Sequence, residues 1–348
     1  MNISAQALRI AIIQAAPVYL DPDRCLEKAR RLIGQAASKG ASLVAFGECW
    51  LPGYPVHALC GMDTPGWWDF AADYLDRAIE VPGPETQALC QIASEFEVDI
   101  VMGVAERDSV TRGSIYSTQL IISAEGALLG RHRKLRPAIN ERAVIADGDA
   151  SGLQVFERGY GGLSGLNSWE HQMVLPVYAL AEQGTQFHVA SWPGGETPAP
   201  ASPAALFSRQ HLLSRAFAAQ TGAYVLCASG ILAPENLPPH YRDFLREPFT
   251  GNSAVIDPRG EIVAGPITGE TILYSNCSMT MIRSAKVAFD CTGHSGRPDQ
   301  LEFRNHALPG QSSGEDDGHD RQDSFPPLDE NGPAEGGAGM EPESARRR

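Results

Sequence analysis

The sequence has no CxxC pair, no GxGxxG or GxxxxGK(S/T) opening a helix, and no apolar run as long as a membrane span. These absences remove the main sequence support for a zinc ribbon, a dinucleotide or P-loop site, and a transmembrane helix. Basic residues are also scarce. Lys+Arg 28 against Asp+Glu 42 gives a net charge of −14, the wrong sign for a nonspecific grip on nucleic acid or an anionic bilayer. The opening MNISAQALRIAIIQAAP has no basic start ahead of a signal-peptide core. The seven cysteines are odd in number and widely spaced, often within apolar runs. They read as reduced, small hydrophobes in a cytoplasmic protein. What is present fits a folded chain: 348 residues, 43% hydrophobic and 20% charged, enough for one large domain or two small ones.

Apolar runs and helical periodicity alternate along the chain. Ile10 to Ala16 reads as a strand. Asp21 then caps a helix with Pro22 at its first position, and Cys25, Leu26, Ala29, Leu32, Ile33 and Ala36 recur at helical spacing. Ser42–Phe46 and Asp99–Ala105 read as strands, 85–96 as a helix, and 116–123 with 127–130 as a hairpin about Glu125-Gly126. Later strands are expected at Gly162–Leu166, Phe187–Ser191, Tyr224–Ala228, Ser253–Ile256 and Thr271–Tyr274, with helices over 172–183 and 202–221. The class is α/β. Several neighbouring strands lack a helix between them, so a purely doubly wound parallel sheet fits poorly. Residues 1–308 read as one domain. Residues 309–348 carry ten acidic and four basic residues among Gly and Pro, and are expected to form a disordered acidic tail.

Three segments carry candidate chemistry. In AFGECWLPGYP, Glu48 ends an apolar strand beside Cys49, Trp50 and Tyr54. A partly desolvated carboxylate there suits proton transfer, although a strand-end acid binding local N–H groups has the same appearance. Cys49, next on an extended segment, is expected to face away. In GRHRKLRPAINERAV, Lys134 lies among Arg131, Arg133 and Arg136 with Glu141 seven residues on. Read locally, this is more easily a solvated cationic face than a buried site. In GLSGLNSWEHQMVLP a short strand ends and Ser168-Trp169-Glu170 turns towards a helix. Ser168 reads as an N-cap or as a nucleophile beside backbone N–H groups.

Together, GECWLPGYP, HRKLRP with NERAV, and NSWEHQMVLP resemble the nitrilase branch of the carbon–nitrogen hydrolase superfamily, from the first strand to about residue 300. The resemblance implies a four-layer α-β-β-α sandwich. It puts a catalytic glutamate at Glu48, a catalytic lysine at Lys134, a supporting glutamate at Glu141 and the nucleophile at position 168. It implies a nitrile substrate hydrolysed to acid and ammonia, no cofactor or metal, and a homodimeric building block that assembles into larger oligomers or spiral filaments. It also places Trp192-Pro193 of ASWPGG near the substrate. Trp50, Tyr54, Trp169 and Glu170 complete the expected pocket, and Ala143-Val144-Ile145-Ala146 is expected to reshape it.

One position departs from the family pattern. The nucleophile motif is Cys-Trp-Glu in the family and Ser168-Trp169-Glu170 here. A thiol titrates near pH 8.5 and yields its proton to a modestly basic carboxylate, whereas a serine hydroxyl normally needs an imidazole or its equivalent. His171 lies three residues on, which does not by itself bring it to the hydroxyl. The surviving Glu48, Lys134 and Glu141 favour reading Ser168 as a replacement that stops turnover. A natural serine variant, a pseudoenzyme with a binding or assembly role, and an amidase or amide-releasing member of the superfamily are the competing readings.

Overall fold

The computed structural model describes residues 7–194, 209–297 and 300–304. The expected tail at 309–348, and the 202–208 part of the expected helix, lie outside the described residues.

The first half supplies β1 (Ala7–Gln14), β2 (Leu43–Ala45), β3 (Asp99–Arg107), β4 (Ile115–Ile122) and β5 (Leu128–Arg133), with α1 (Pro22–Ser38), α2 (Trp67–Arg77) and α3 (Pro84–Phe96) between them. The second half supplies β6 (Phe156–Arg158), β7 (Gly161–Asn167), β8 (Phe187–Trp192), β9 (Tyr224–Ser229), β10 (Ile231–Leu232), β11 (Phe249–Thr250), β12 (Ala254–Ile256), β13 (Ile262–Ala264) and β14 (Thr271–Ser278). Its helices are α4 (Val174–Glu182), α5 (Gln210–Thr221) and α6 (Met279–Ala288).

Two six-stranded sheets result, in the orders β14-β1-β2-β3-β4-β5 and β13-β12-β9-β8-β7-β6. Both are mixed: β1-β2-β3 and β7-β8-β9 pair in parallel, and antiparallel strands complete the edges. The period-two alternation of a strand explains the layering. Ile10 and Ile12 face the second sheet and pack with Phe187, Val189 and Leu226, while Ala11 and Ile13 face α1 and α3. On β8 the same alternation sends Phe187 and Val189 inward, and Ala190 and Trp192 outward under α4 and α5. Each sheet therefore has one face against the other sheet and one against helices, the expected four-layer α-β-β-α sandwich.

Helix α1 begins as its chemistry predicts. The Asp21 carboxylate accepts the Arg24 N–H, Pro22 opens the helix, and Cys25, Ala29, Leu32, Ile33 and Ala36 form its buried stripe. The expected helix at 172–183 is shorter. Ser168–Gln172 is a 3₁₀ turn, Met173 is extended, and α4 follows. The sheets are bridged beside the site by Gln119 of β4, whose amide donates to the Val189 carbonyl and to Ser191 Oγ, while Ser191 Oγ donates to the Phe46 carbonyl.

Candidate active site

Glu48, Lys134 and Ser168 each follow the end of a strand. Glu48 follows β2 in a turn over Glu48–Trp50, and its N–H donates to the Trp192 carbonyl at the end of β8. The turn lies so close to β3 that a Cβ on Gly103 would come within 2.1 Å of the Gly47 carbonyl and 2.9 Å of Glu48 Cα. A glycine is required there by contact, not by backbone freedom. Lys134 directly follows β5. Along this edge Arg131 and Arg133 turn outward and share the buried Glu106 carboxylate, while His132 and Lys134 turn inward. The cationic-face reading of Lys134 is thus corrected: the side chain is fully buried.

The Lys134 ammonium has three acceptors for its three protons. Nζ lies 2.7 Å from Glu48 Oε1, 2.7 Å from Glu141 Oε2 and 3.0 Å from Ser168 Oγ. Glu141, at the start of a 3₁₀ turn over Glu141–Ala143, also accepts the Ala138 N–H on Oε2 and the Tyr54 hydroxyl on Oε1, at 2.8 Å. Ser117 Oγ donates to Glu48 Oε1 at 2.8 Å. Glu48 Oε2 is buried with no hydrogen-bonding partner of ordinary geometry among the described residues.

Electrostatics follow from this packing. Burial raises the Glu48 pKa, Lys134 pulls it back and Glu141 raises it again, leaving it at about 6. Burial works against the Lys134 charge, yet the two carboxylates outweigh it and hold its pKa above the ordinary value. The cluster is an ammonium bridging a carboxylate of near-neutral pKa and the side chain at position 168.

Ser168 has φ of 37°, the left-handed region that a non-glycine residue occupies at a cost. The strained residue joins the end of β7 to the 3₁₀ turn and points its Oγ at Lys134. It is not the cap. Asn167 takes that place, and the Oε2 of Glu170, three residues on, accepts the Asn167 N–H.

Glu170 is not a pocket wall. Its buried carboxylate accepts the Asn167 and Leu135 N–H groups and lies 3.0 Å from His132 Nε2. Burial raises its pKa, but His132 and the two N–H donors outweigh that and hold it low. One carboxylate thus ties the residue before Ser168 to His132 and Leu135, which flank Lys134. The expected pocket tryptophans are also corrected in part. Trp50 packs on Phe46 in the core under α1 and α3, with its indole N–H on the Ala15 carbonyl. Trp192 is fully buried under α4 and α5 and donates to Ser214 Oγ. Its backbone carbonyl, not its ring, serves the site. Trp169 is half-buried, with the Arg209 guanidinium 6.0 Å from its ring centre, and Pro193 is buried just after β8. In the 143–146 segment, Ile145 is a core residue bridged to Ile115.

Two further expectations change. Cys49 does not face away: φ of 48° turns its Sγ to 3.5 Å from Ser117 Oγ, on the Glu48 side. Burial and Glu48 raise its thiol pKa, so it is no surrogate thiolate. His171 does not activate Ser168. Its Nδ1 lies 2.7 Å from the Ser168 carbonyl oxygen, so the ring serves the backbone and not the hydroxyl. Among the described residues no group of three or more His, Cys, Asp and Glu is arranged to hold a metal.

Residues 9–287 match the carbon–nitrogen hydrolase family. The chain belongs to that family. This carbon–nitrogen hydrolase is 47% identical over 301 residues to Nitrilase 2 of an unknown prokaryotic organism, covering 84% of this chain and 91% of that one. It is 34% identical over 310 residues to the aliphatic nitrilase of Rhodococcus rhodochrous, covering 86% and 84%. In fold it resembles Saccharomyces cerevisiae Nit3, a member of branch 10 of the nitrilase superfamily, with TM-score 0.66 and 23% identity over 83% of this chain and 97% of that one. Helices in the described residues are not long and apolar enough to cross a membrane.

Proposed function

We propose that this carbon–nitrogen hydrolase is a nitrilase framework whose nucleophile is a serine in place of the family's cysteine, so that it binds nitriles but turns them over little or not at all. The carrying observation is the Lys134 ammonium held 2.7 Å from Glu48, 2.7 Å from Glu141 and 3.0 Å from Ser168 Oγ. The names of the 47% and 34% identical relatives supply the substrate class.

With a cysteine at position 168, Glu48 takes the thiol proton, sulfur bonds to the nitrile carbon, and the proton passes to nitrogen as the thioimidate forms. Water adds to that carbon, the C–N bond breaks and ammonia leaves, giving a thioester. A second water releases the carboxylic acid and restores the thiol. Lys134 and the Trp169 N–H stabilise the negative charge that develops on the substrate, and Glu141 with Tyr54 holds Lys134 in place. With serine, the first step stalls. A carboxylate of pKa about 6 is far too weak a base for a hydroxyl, and the His171 imidazole is bound to a backbone carbonyl.

The test is product analysis of the Ser168→Cys variant. Acid and ammonia in equal amounts from nitriles support the reading; amide as the sole product, or hydrolysis of amides alone, moves it to the amide-releasing or amidase alternative. No product from a folded variant favours a binding or assembly role. The free thiols at all seven cysteines support a reducing, cytoplasmic setting. A homodimeric building block, and a filament made from it, are part of the same proposal. Exposed Val174 and Leu175 on α4 and Leu212 on α5 support it, and a monomeric mass by light scattering would contradict it.

A further inference from the structure

The fold buries a chain of polar groups behind the nucleophile. Ser164 and His188 are register partners on the parallel strands β7 and β8, so their side chains lie side by side. Ser168 and His171 are three apart in a 3₁₀ turn, which sets them above one another. The result is a continuous line: Ser168 carbonyl oxygen, 2.7 Å to His171 Nδ1; His171 Nε2, 2.9 Å to His188 Nε2; His188 Nδ1, 2.8 Å to Ser164 Oγ; Ser164 Oγ, 2.7 Å to Thr185 Oγ1. All of these residues are buried. The His188 ring stacks on Phe217 at 3.8 Å, and the His171 ring lies near-parallel to Trp192 at 5.7 Å.

The protons in this line can be placed by elimination. A carbonyl only accepts, so His171 carries its proton on Nδ1. In a neutral ring Nε2 is then an acceptor, and His188 must donate from its own Nε2. His188 Nδ1 therefore accepts, the Ser164 hydroxyl donates to it, and Thr185 donates to Ser164. The charged and titratable groups facing His171 are Glu170, Lys134, His132 and His188; those facing His188 are His171 and His132. Burial in the aromatic box is the largest influence on both rings. At His171 it acts with Lys134 and His132 and outweighs the Ser168 carbonyl and Glu170, leaving a neutral imidazole with a pKa of about 4. At His188 the neighbouring imidazoles add to it and keep that ring neutral as well.

We infer that His171 and His188 are positioning residues: a neutral, proton-ordered histidine pair that clamps the Ser168 carbonyl and thereby fixes the peptide joining Ser168 to Trp169. In a trans peptide the C=O and N–H point in opposite directions. The clamp on the Ser168 carbonyl thus fixes the plane of the 168–169 peptide and sets the direction of the Trp169 N–H. Neither ring touches the reacting atoms. The structural part stands on the hydrogen-bond line alone, whereas the catalytic consequence rests on the nitrilase reading, which uses that N–H as an oxyanion donor.

Nitrogen-15 NMR of the full chain labelled at histidine tests the proton order, with signals assigned through His171→Asn. His171 is expected as the Nδ1–H tautomer and His188 as the Nε2–H tautomer, neither titrating from about pH 5 to 8. A proton on His171 Nε2, or titration of either ring in that range, would overturn the inference. In the Ser168→Cys background, His171→Phe removes the donor and is expected to lower kcat about 100-fold with KM little changed. His171→Asn, whose amide nitrogen stands about where Nδ1 stood, is expected to return kcat to within about tenfold. Full kcat in His171→Phe, or equal loss in both variants, contradicts the positioning role. If Ser168→Cys is itself silent, the nitrilase reading fails, and the tautomers measured in the unaltered chain still decide the clamp.

Discussion

Replacing Glu48 by glutamine reads the charge state of the buried cluster through stability. In the folded protein Glu48 titrates at about 6 instead of the ordinary 4.5, chiefly because it is buried. The native state therefore holds this proton more tightly than the unfolded chain does. Stability from this group is full below about pH 4.5, falls as pH rises to about 6 and is level above that. A gap of about one and a half pH units corresponds to about 2 kcal/mol. The glutamine variant keeps the side chain's shape and an oxygen for Lys134 and Ser117, and Lys134 keeps Glu141 as its counter-ion. Its amide nitrogen takes the place of Oε2, which has no hydrogen-bonding partner of ordinary geometry among the described residues, so the clean quantity is the pH slope and not the absolute offset. Urea unfolding of both proteins between about pH 4 and 8 is expected to show the parent losing about 2 kcal/mol relative to Glu48→Gln across that window. Equal slopes would refute the assignment. A parent that gains stability on the variant as pH rises would mean that attraction to Lys134 exceeds the cost of burial.

Other consequences are as specific. Lys134→Met leaves Glu48 and Glu141 buried together without a cation and is expected to cost about 3–5 kcal/mol in urea unfolding. In the Ser168→Cys background, kcat/KM is expected to decline below about pH 6 as Glu48 takes up its proton, and a flat acid limb would remove Glu48 as the base. Gly103→Ala drives a Cβ to within 2.1 Å of the Gly47 carbonyl and displaces the Glu48 turn; it is expected to lower kcat in that background more than about tenfold. Removing residues 309–348 is expected to leave Tm unchanged.

Much of the sandwich was legible because its strands are apolar runs with clear breaks. Ile10–Ala16, Asp99–Ala105 and Phe187–Ser191 correspond to β1, β3 and β8 within a few residues. Helices α2 and α6 were not read, and neither has a side-chain cap hydrogen bond to mark its start. The site was legible mainly through family motifs. One physical signal does lie in the sequence: period-two alternation across Arg131, His132, Arg133 and Lys134 puts the lysine on the buried face with the histidine. The remaining misses are tertiary. Trp50 and Trp192 sit beside site residues in sequence, but the turn after β2 and the facing of β8 send both rings into core layers. Cys49 reverses direction because its residue is left-handed. The His171–His188 contact joins an irregular turn to a strand, and no local pattern announces it.

The central claim is that position 168 alone interrupts a complete nitrilase site. Ammonia release by the unaltered chain and by Ser168→Cys, compared across aliphatic, arylaliphatic and aromatic nitriles, tests it most directly. The account predicts release from Ser168→Cys alone. Equal and substantial release from both proteins would contradict it, because a serine held by Lys134 and Glu48 would then be a competent nucleophile.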